Sequence, residues 1–340
     1  MSKVVTFGEI MLRLEPEGYL RFLQTQKYGA SFGGAEANVA VSLANFGVET
    51  SFVTKLPEND IGTACVNQLR SYGIDVSNIL RGGPRMGIYF LEKGAAQRPS
   101  KVIYDRAGSS ISLACKNEFD WEKIFKDATW FHITGITPAL SDSCAEICLE
   151  ACKTAKKMGI TISCDLNFRK KLWTKEKANE VLSKICEYVD ICISNEEDSA
   201  EIFNIKSKNT DINSGKLNGE GYIEVSQKLV NQFGFKKVAF TLRTSKSASE
   251  NLWSGMLYEE GKAYFGREYD IQIVDRVGSG DSFAAGLIYS LLKGADAQWA
   301  IDFAVAAGCL KHSIEGDFNC VSVPEVESLA KGNQSGRVQR

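Results

Sequence analysis

Several common signatures are missing from this 340-residue sequence, and each absence narrows what the chain can be. No apolar stretch reaches the roughly 20 residues a bilayer requires. Met1-Ser2-Lys3 leads straight into the apolar Val4-Val5-Thr6-Phe7, so neither a membrane partner nor a secretory leader is expected. Charge of one sign is missing too, since 40 Lys and Arg stand against 42 Asp and Glu. With no basic run, a nucleic-acid partner is not expected either. Only 2 histidines occur. His132 lies in the apolar Trp130-Phe131-His132-Ile133 and reads as an interior residue, whereas His312 shows no evident partner. The 10 cysteines contain no Cys-x-x-Cys pair. They read as reduced thiols of a cytoplasmic protein, with Cys144, Cys148 and Cys152 on one buried helix face. Neither Gly215-Lys216 nor Gly261-Lys262 is followed by Ser or Thr, so there is no Walker loop. No Gly-x-Ser-x-Gly elbow occurs, no strand leads into Gly-x-Gly-x-x-Gly, and there is no repeat or low-complexity tract.

What remains is an α/β rhythm. Strands are expected at 3–8, 50–54, 129–135, 160–165, 189–194 and 237–243, with more strand pattern over 251–273. Helices are expected at 61–72 (stopped by Gly73), 142–157, 175–187, 283–292 and 299–311. Met86 to Leu91 and Lys101 to Arg106 break the rhythm as two strands around a Gly/Pro-containing turn. With residues 10–30 they are expected to form a small antiparallel sheet projecting from the main one. The polar stretch 206–221 reads as a surface loop and 331–340 as a frayed tail.

The chain is organised around Asp275-Arg276-Val277-Gly278-Ser279-Gly280-Asp281, which runs into a helix of small and apolar residues. Glycines at Gly278 and Gly280 permit an unusual turn and let a ligand approach the main chain. The N–H groups opening the helix, with the positive end of its dipole behind them, suit an anion such as phosphate. Asp281 has two readings: a helix cap, or a general base that takes a hydroxyl proton while the amides stabilise a phosphoryl group in flight. Upstream, Gly33-Gly34-Ala35-Glu36-Ala37-Asn38 opens another helix, either as close helix packing or as a pocket in which Asn38 bonds hydroxyls. At a strand end, where open parallel sheets bind ligands, Asp165-Leu166-Asn167-Phe168-Arg169 offers a guanidinium for an anion or for a surface ion pair. Asn195-Glu196-Glu197-Asp198 reads as a metal-associated cluster or a solvated helix start.

Together these motifs resemble the ribokinase-like (PfkB) carbohydrate kinases, whose patterns include Gly-Gly-x-x-x-Asn-x-Ala and Asp-Thr-x-Gly-Ala-Gly-Asp. Arg276 replaces the Thr and Ser279 the Ala, a form similar to the branch containing 2-keto-3-deoxygluconate kinases. The resemblance implies a doubly wound, mostly parallel sheet flanked by helices, with a β-sheet lid that often pairs two subunits, so a homo-oligomer is expected. It divides the chain into a core (1–9, 31–84 and 113–330), a lid (10–30 and 85–112) and the tail. It implies ATP and Mg²⁺, with Asp281 as base and Gly278, Ser279 and Gly280 as an anion hole. Gly33, Gly34, Asn38, Tyr89, Tyr104, Arg106, Arg169 and Asp317 would meet a small-molecule sugar or keto-sugar acid. Asn167, Arg169, Asn195, Thr241, Arg243 and Lys246 would lie near ATP. Asp198, one methylene shorter than the Glu of the family's Asn-x-x-Glu motif, would reach the metal through water, and Glu196 or Glu197 would substitute for it. The implied activity is phosphorylation of the terminal hydroxyl of 2-keto-3-deoxygluconate. A fructose- or ribose-type kinase and a non-catalytic sugar-binding protein are the alternatives.

Overall fold

The structure is a computed structural model that describes residues 2–195, 197–207 and 219–333. Glu196, most of the expected loop at 206–221 and residues 334–340 of the expected tail lie outside these ranges. In chain order the elements are β1 (Lys3–Phe7), β2 (Met11–Glu15), β3 (Gly29–Gly33), α1 (Ala35–Asn45), β4 (Glu49–Leu56), α2 (Asp60–Ser71), β5 (Ile79–Arg81), β6 (Ile88–Glu92) and β7 (Lys101–Asp105). They continue with α3 (Trp121–Ile124), β8 (Ala128–Thr134), α4 (Asp142–Lys157), β9 (Thr161–Asp165), α5 (Lys175–Cys186), β10 (Ile191–Ser194), α6 (Asp198–Phe203) and α7 (Gly219–Phe233). The last are β11 (Lys237–Ser245), β12 (Glu250–Glu259), β13 (Lys262–Phe265), β14 (Tyr269–Gln272), α8 (Ser279–Leu292), α9 (Ala297–Lys311) and α10 (Val323–Ala330).

The main sheet runs β13-β12-β11-β10-β9-β8-β1-β4-β5, with β14 also on β12. Every pair from β11 to β5 is parallel, and β12 pairs antiparallel with β11, β13 and β14. Parallel strands covered by helices on both faces must be apolar on both sides, and these are. Val5, Cys192 and Val238 pack into one core with α4, α5 and α7. Their neighbours Val4, Ile193 and Ala239 pack into the other with α1, α8, α9 and α10. Cys148 and Cys152 lie wholly in the first core, and Cys144 is equally buried, its Sγ against Ile111 O. His132 is buried on the opposite face of β8, beside Trp130, its Nδ1 2.8 Å from Ser163 Oγ, and burial pushes its pKa down to about 3. Among the described residues no helix is long and apolar enough to cross a membrane.

The second sheet has the order β3-β2-β6-β7. It is not wholly antiparallel as expected: β2 and β6 run parallel, because the chain between them passes through the main sheet and returns. β3 also extends to Gly33, directly against the start of α1. His312 has a partner after all, since its Nδ1 lies 2.7 Å from Gly308 O and its ring meets Trp253 edge-on.

Candidate active site

Side chains cap α2, α4, α5 and α9: Asn59, Ser141, Thr174 and Asp296 each accept an N–H of the first turn. In contrast, α1 and α8 start on glycines, Gly34 and Gly278, with no side-chain cap. Both starts line one cavity of about 410 Å³. The cavity lies at the C-terminal ends of the parallel strands, between the main sheet and the small one, where doubly wound folds bind ligands. Gly278 has φ +83°, and a Cβ there would come within 2.2 Å of the carbonyl oxygen of Asp317. Turn and Asp317 loop are therefore in backbone contact. Gly280 differs, since a Cβ there would meet nothing within 4 Å. It faces open cavity.

Helix α8 begins at Ser279 rather than Phe283, which puts Asp281 inside the first turn and rules out the capping reading. Its carboxylate instead accepts Asn38 Nδ2 at 2.7 Å, a bond joining the two glycine-started helices. Burial raises the Asp281 pKa to about 6, with Asp317 adding to the rise while the Asn38 bond, Arg169 and Lys311 oppose it. Of the expected anion-hole amides, Ser279 N–H already leans toward Arg276 O at 3.4 Å. Ser282 N–H bonds Gly278 O. Among the described residues no backbone acceptor meets the N–H of Gly280 or Asp281, which stand at the positive end of the helix.

Gly33, Gly34, Asn38, Tyr89, Tyr104, Arg106, Asn167, Arg169, Asn195, Glu197, Thr241, Arg243, Gly278, Ser279, Gly280, Asp281 and Asp317 all line this cavity. Two expected residues are not in its wall. Lys246 points outward to Asp270 at 2.7 Å, because β11 has by then run past the cavity. Asp198 is buried and accepts Asn195 Nδ2 at 3.0 Å, so among the described residues Glu197 is the acid of the cluster that lines the cavity.

Other residues of the site escaped sequence reasoning. Glu9, at the end of β1, holds Arg106 through Nε at 2.7 Å and accepts Ser109 Oγ at 2.5 Å. Arg13, fully buried in β2, donates to Asp317 at 2.8 Å, to Glu15 at 2.6 Å and to Asp275. Tyr89 O–H donates to the same Asp317 oxygen. Asp275 in turn accepts Val277 N–H at 3.0 Å and Gly316 N–H at 3.1 Å, so the small sheet, the turn and the Asp317 loop meet at one guanidinium. A signal existed: Arg13 shares the alternation of Met11-Leu12-Arg13-Leu14, and a charge on the buried face of a strand requires a buried partner. Glu36 accepts Thr134 N–H and the hydroxyls of Thr134 and Thr137 at 2.7–3.0 Å, yet burial still raises its pKa to about 7. Burial, then Asp198 and Asp281, push Asp165 well above the usual carboxylate range.

An amide-lined helix mouth, a carboxylate tuned toward neutrality and a cleft under a small sheet suit transfer of a phosphoryl group to a hydroxyl. Known proteins agree. The chain is 51% identical to the 2-dehydro-3-deoxygluconokinase of Thermotoga maritima, whose crystal structure superposes with a TM-score of 0.94 over 97% of this chain and 98% of that one. A PfkB family carbohydrate kinase from Listeria grayi gives 34% and 0.90, covering 97% of this chain and 100% of that one. A curated relative, the 2-dehydro-3-deoxygalactonokinase of Haloferax volcanii, is 30% identical over 98% of both chains. The ribokinase-like arrangement implied by the motifs is the one observed, a mostly parallel sheet flanked by helices with a separate small sheet. As the profile of the pfkB family carbohydrate kinases also matches residues 1–323, this chain belongs to that family and is a sugar phosphotransferase.

Proposed function

We propose that this chain transfers the γ-phosphoryl group of ATP to the terminal hydroxyl of 2-keto-3-deoxygluconate. The observation that carries the chemistry is Asp281, pinned by Asn38 beside the open amides of α8 with a pKa near 6. In this reading Asp281 takes the hydroxyl proton as the oxygen attacks phosphorus. The N–H groups of Gly280 and Asp281, with the Gly278–Ser279 turn behind them, receive the charge on the transferring group. Thr241, Asn195 and the arginines of the β11 side lie along the nucleotide, and the space in front of Gly280 admits its terminal phosphate. Among the described residues no group of three or more candidate ligands converges on a metal. That fits Mg²⁺ held mainly by the phosphates, with Glu197 reaching it through water, where it would neutralise phosphate charge. The substrate assignment draws on the Thermotoga maritima enzyme's name and on Tyr89, Tyr104, Arg106, Arg169 and Asp317 lining the cavity.

One observation favours a neutral sugar instead: Arg106, expected to meet a carboxylate, is already neutralised by Glu9. A coupled ADP-release assay over keto-sugar acids and neutral sugars decides. Turnover of 2-keto-3-deoxygluconate well above fructose and ribose supports the acid, and the reverse ranking removes it. We also infer that the small sheet is the substrate lid and pairs two subunits. Its edge strand β7 leaves Ile103 and Tyr104 exposed at 44% and 42%. Light scattering of the Ile103→Lys variant as a dimer like the wild type would remove that edge from the interface.

A further inference from the structure

We propose that Arg276, together with Arg243, clamps the polyphosphate of the nucleotide, forming an anion subsite beside the Gly278–Gly280 turn. The proposal rests on the kinase reading. Arg276 is half-buried, and its Nε is buried with no acceptor. The weak contact it does make is from Nη2 to Ala248 O at 3.3 Å. Its neighbour Asp275 makes no hydrogen bond to it and is engaged instead by Val277 N–H, Gly316 N–H and Arg13. A like charge also acts on Arg276. Arg243 comes from β11 onto the same cavity wall, and among the described residues it makes no ion pair. Burial first, then Arg243, lowers the Arg276 pKa, while Asp275 opposes this.

Two guanidiniums on one wall, neither hydrogen-bonded to a carboxylate among the described residues, repel each other until an anion enters. Their planar forks match the oxygens of adjacent phosphates better than a single carboxylate. The position agrees, since Arg276 precedes by two residues the glycine that starts α8. The family pattern usually has Thr here, so the arginine adds a full charge beside the partial positive charge of the helix mouth.

The test compares thermal melting of the wild type and Arg276→Thr, alone and with ADP or tripolyphosphate, and steady-state kinetics for both substrates. The clamp predicts an unliganded variant at least as stable as the wild type, since a like-charge contact is gone. It also predicts a diminished upward shift with both anions, and a KM for ATP raised roughly ten- to hundredfold, the usual cost of hydrogen bonds to a charged group. The KM for the sugar acid should hold. An unliganded variant that melts earlier while keeping the full anion shift would make Arg276 structural and overturn the proposal, as would a rise confined to the sugar-acid KM. Arg243→Gln should lose the same anion shift, which keeps the test decisive if Arg276→Thr does not fold. Tripolyphosphate reads the clamp without turnover, so failure of the kinase reading and failure of the clamp are distinguishable.

Discussion

The two ends of the cleft handle charge in opposite ways. Under the small sheet every ionised group named above has a partner: Arg13 with Asp275, Asp317 and Glu15, and Arg106 with Glu9. Beside β11, Arg243 and Arg276 share a wall without a carboxylate between them. The paired end is organised before any ligand arrives, so in the reading proposed above it would meet a sugar's hydroxyls with little rearrangement. The unpaired end is incomplete until an anion binds. Asp281 stands between them, held from α1 by Asn38 and within the field of Arg169 and Lys311.

The largest effect expected lies at that junction. Asp281→Ala should lower kcat by about 10²–10⁴, the usual worth of a general base, while calorimetric binding of the sugar acid persists. Near-wild-type turnover in this variant would remove the carboxylate from the mechanism. Next comes the paired end. Arg13→Met leaves Asp275 and Asp317 buried without their cation, which typically costs about 3–5 kcal/mol, read from urea titration. Adding Asp275→Asn should recover part of the loss, because the two groups interact directly. A purely additive cycle would mean that the ion pair contributes nothing beyond its packing.

Much of this arrangement was legible in the sequence, for a physical reason. Glycine turns, helix starts and strand ends are local, so Gly33-Gly34, Gly278-Ser279-Gly280-Asp281 and Asp165-Leu166-Asn167-Phe168-Arg169 announce themselves within a few residues. The ion network does not. Arg13 and Asp317 are 304 positions apart and meet because the chain passes through the main sheet in β4 and β5 before β6 and again from β8 to β14 before it reaches Asp317. The start of α8 was hidden by its own composition, since Ser279-Gly280-Asp281-Ser282 has the residues of a loop and becomes helix because Gly278 supplies the left-handed turn. The family resemblance puts Lys246 near the nucleotide, but β11 is long enough to carry it beyond the cavity to Asp270.

The two motif glycines offer a sharper contrast at smaller cost. Gly278→Ala must place a Cβ at φ +83° and against the Asp317 carbonyl, so stability should fall by at least the roughly 1–2 kcal/mol of a left-handed non-glycine residue. Gly280→Ala meets no atom and replaces glycine inside a helix, so the protein should gain up to about 1 kcal/mol. Its activity should nonetheless fall, because the methyl occupies space the phosphoryl group needs. Thermal melts and kcat on the same two proteins check this crossing. A Gly280→Ala protein of full activity would mean that the open space in front of α8 is not where phosphate sits.

The smallest effect is a shift along the pH axis. A base with a pKa near 6 must be ionised to act, so kcat/KM should fall tenfold per unit below about pH 6. Burial and Asp317 push this pKa up, while Asn38, Arg169 and Lys311 pull it down, and Asp165 stands close enough to be raised by Asp281 in turn. Removing the amide in Asn38→Ala takes away a donor to the charged form, so the acid limb should move to higher pH by roughly one unit. Raising the pH would then restore much of the rate; a loss equal at every pH would make Asn38 a sugar contact rather than a tuner of the base. Stability runs the other way. The raised folded-state pKa of Asp281 stabilises the native protein only at low pH, and that contribution disappears as pH rises from about 4 through about 6. Asp281→Asn never ionises, so its melting temperature should overtake that of the wild type above pH 6, with the activity already lost.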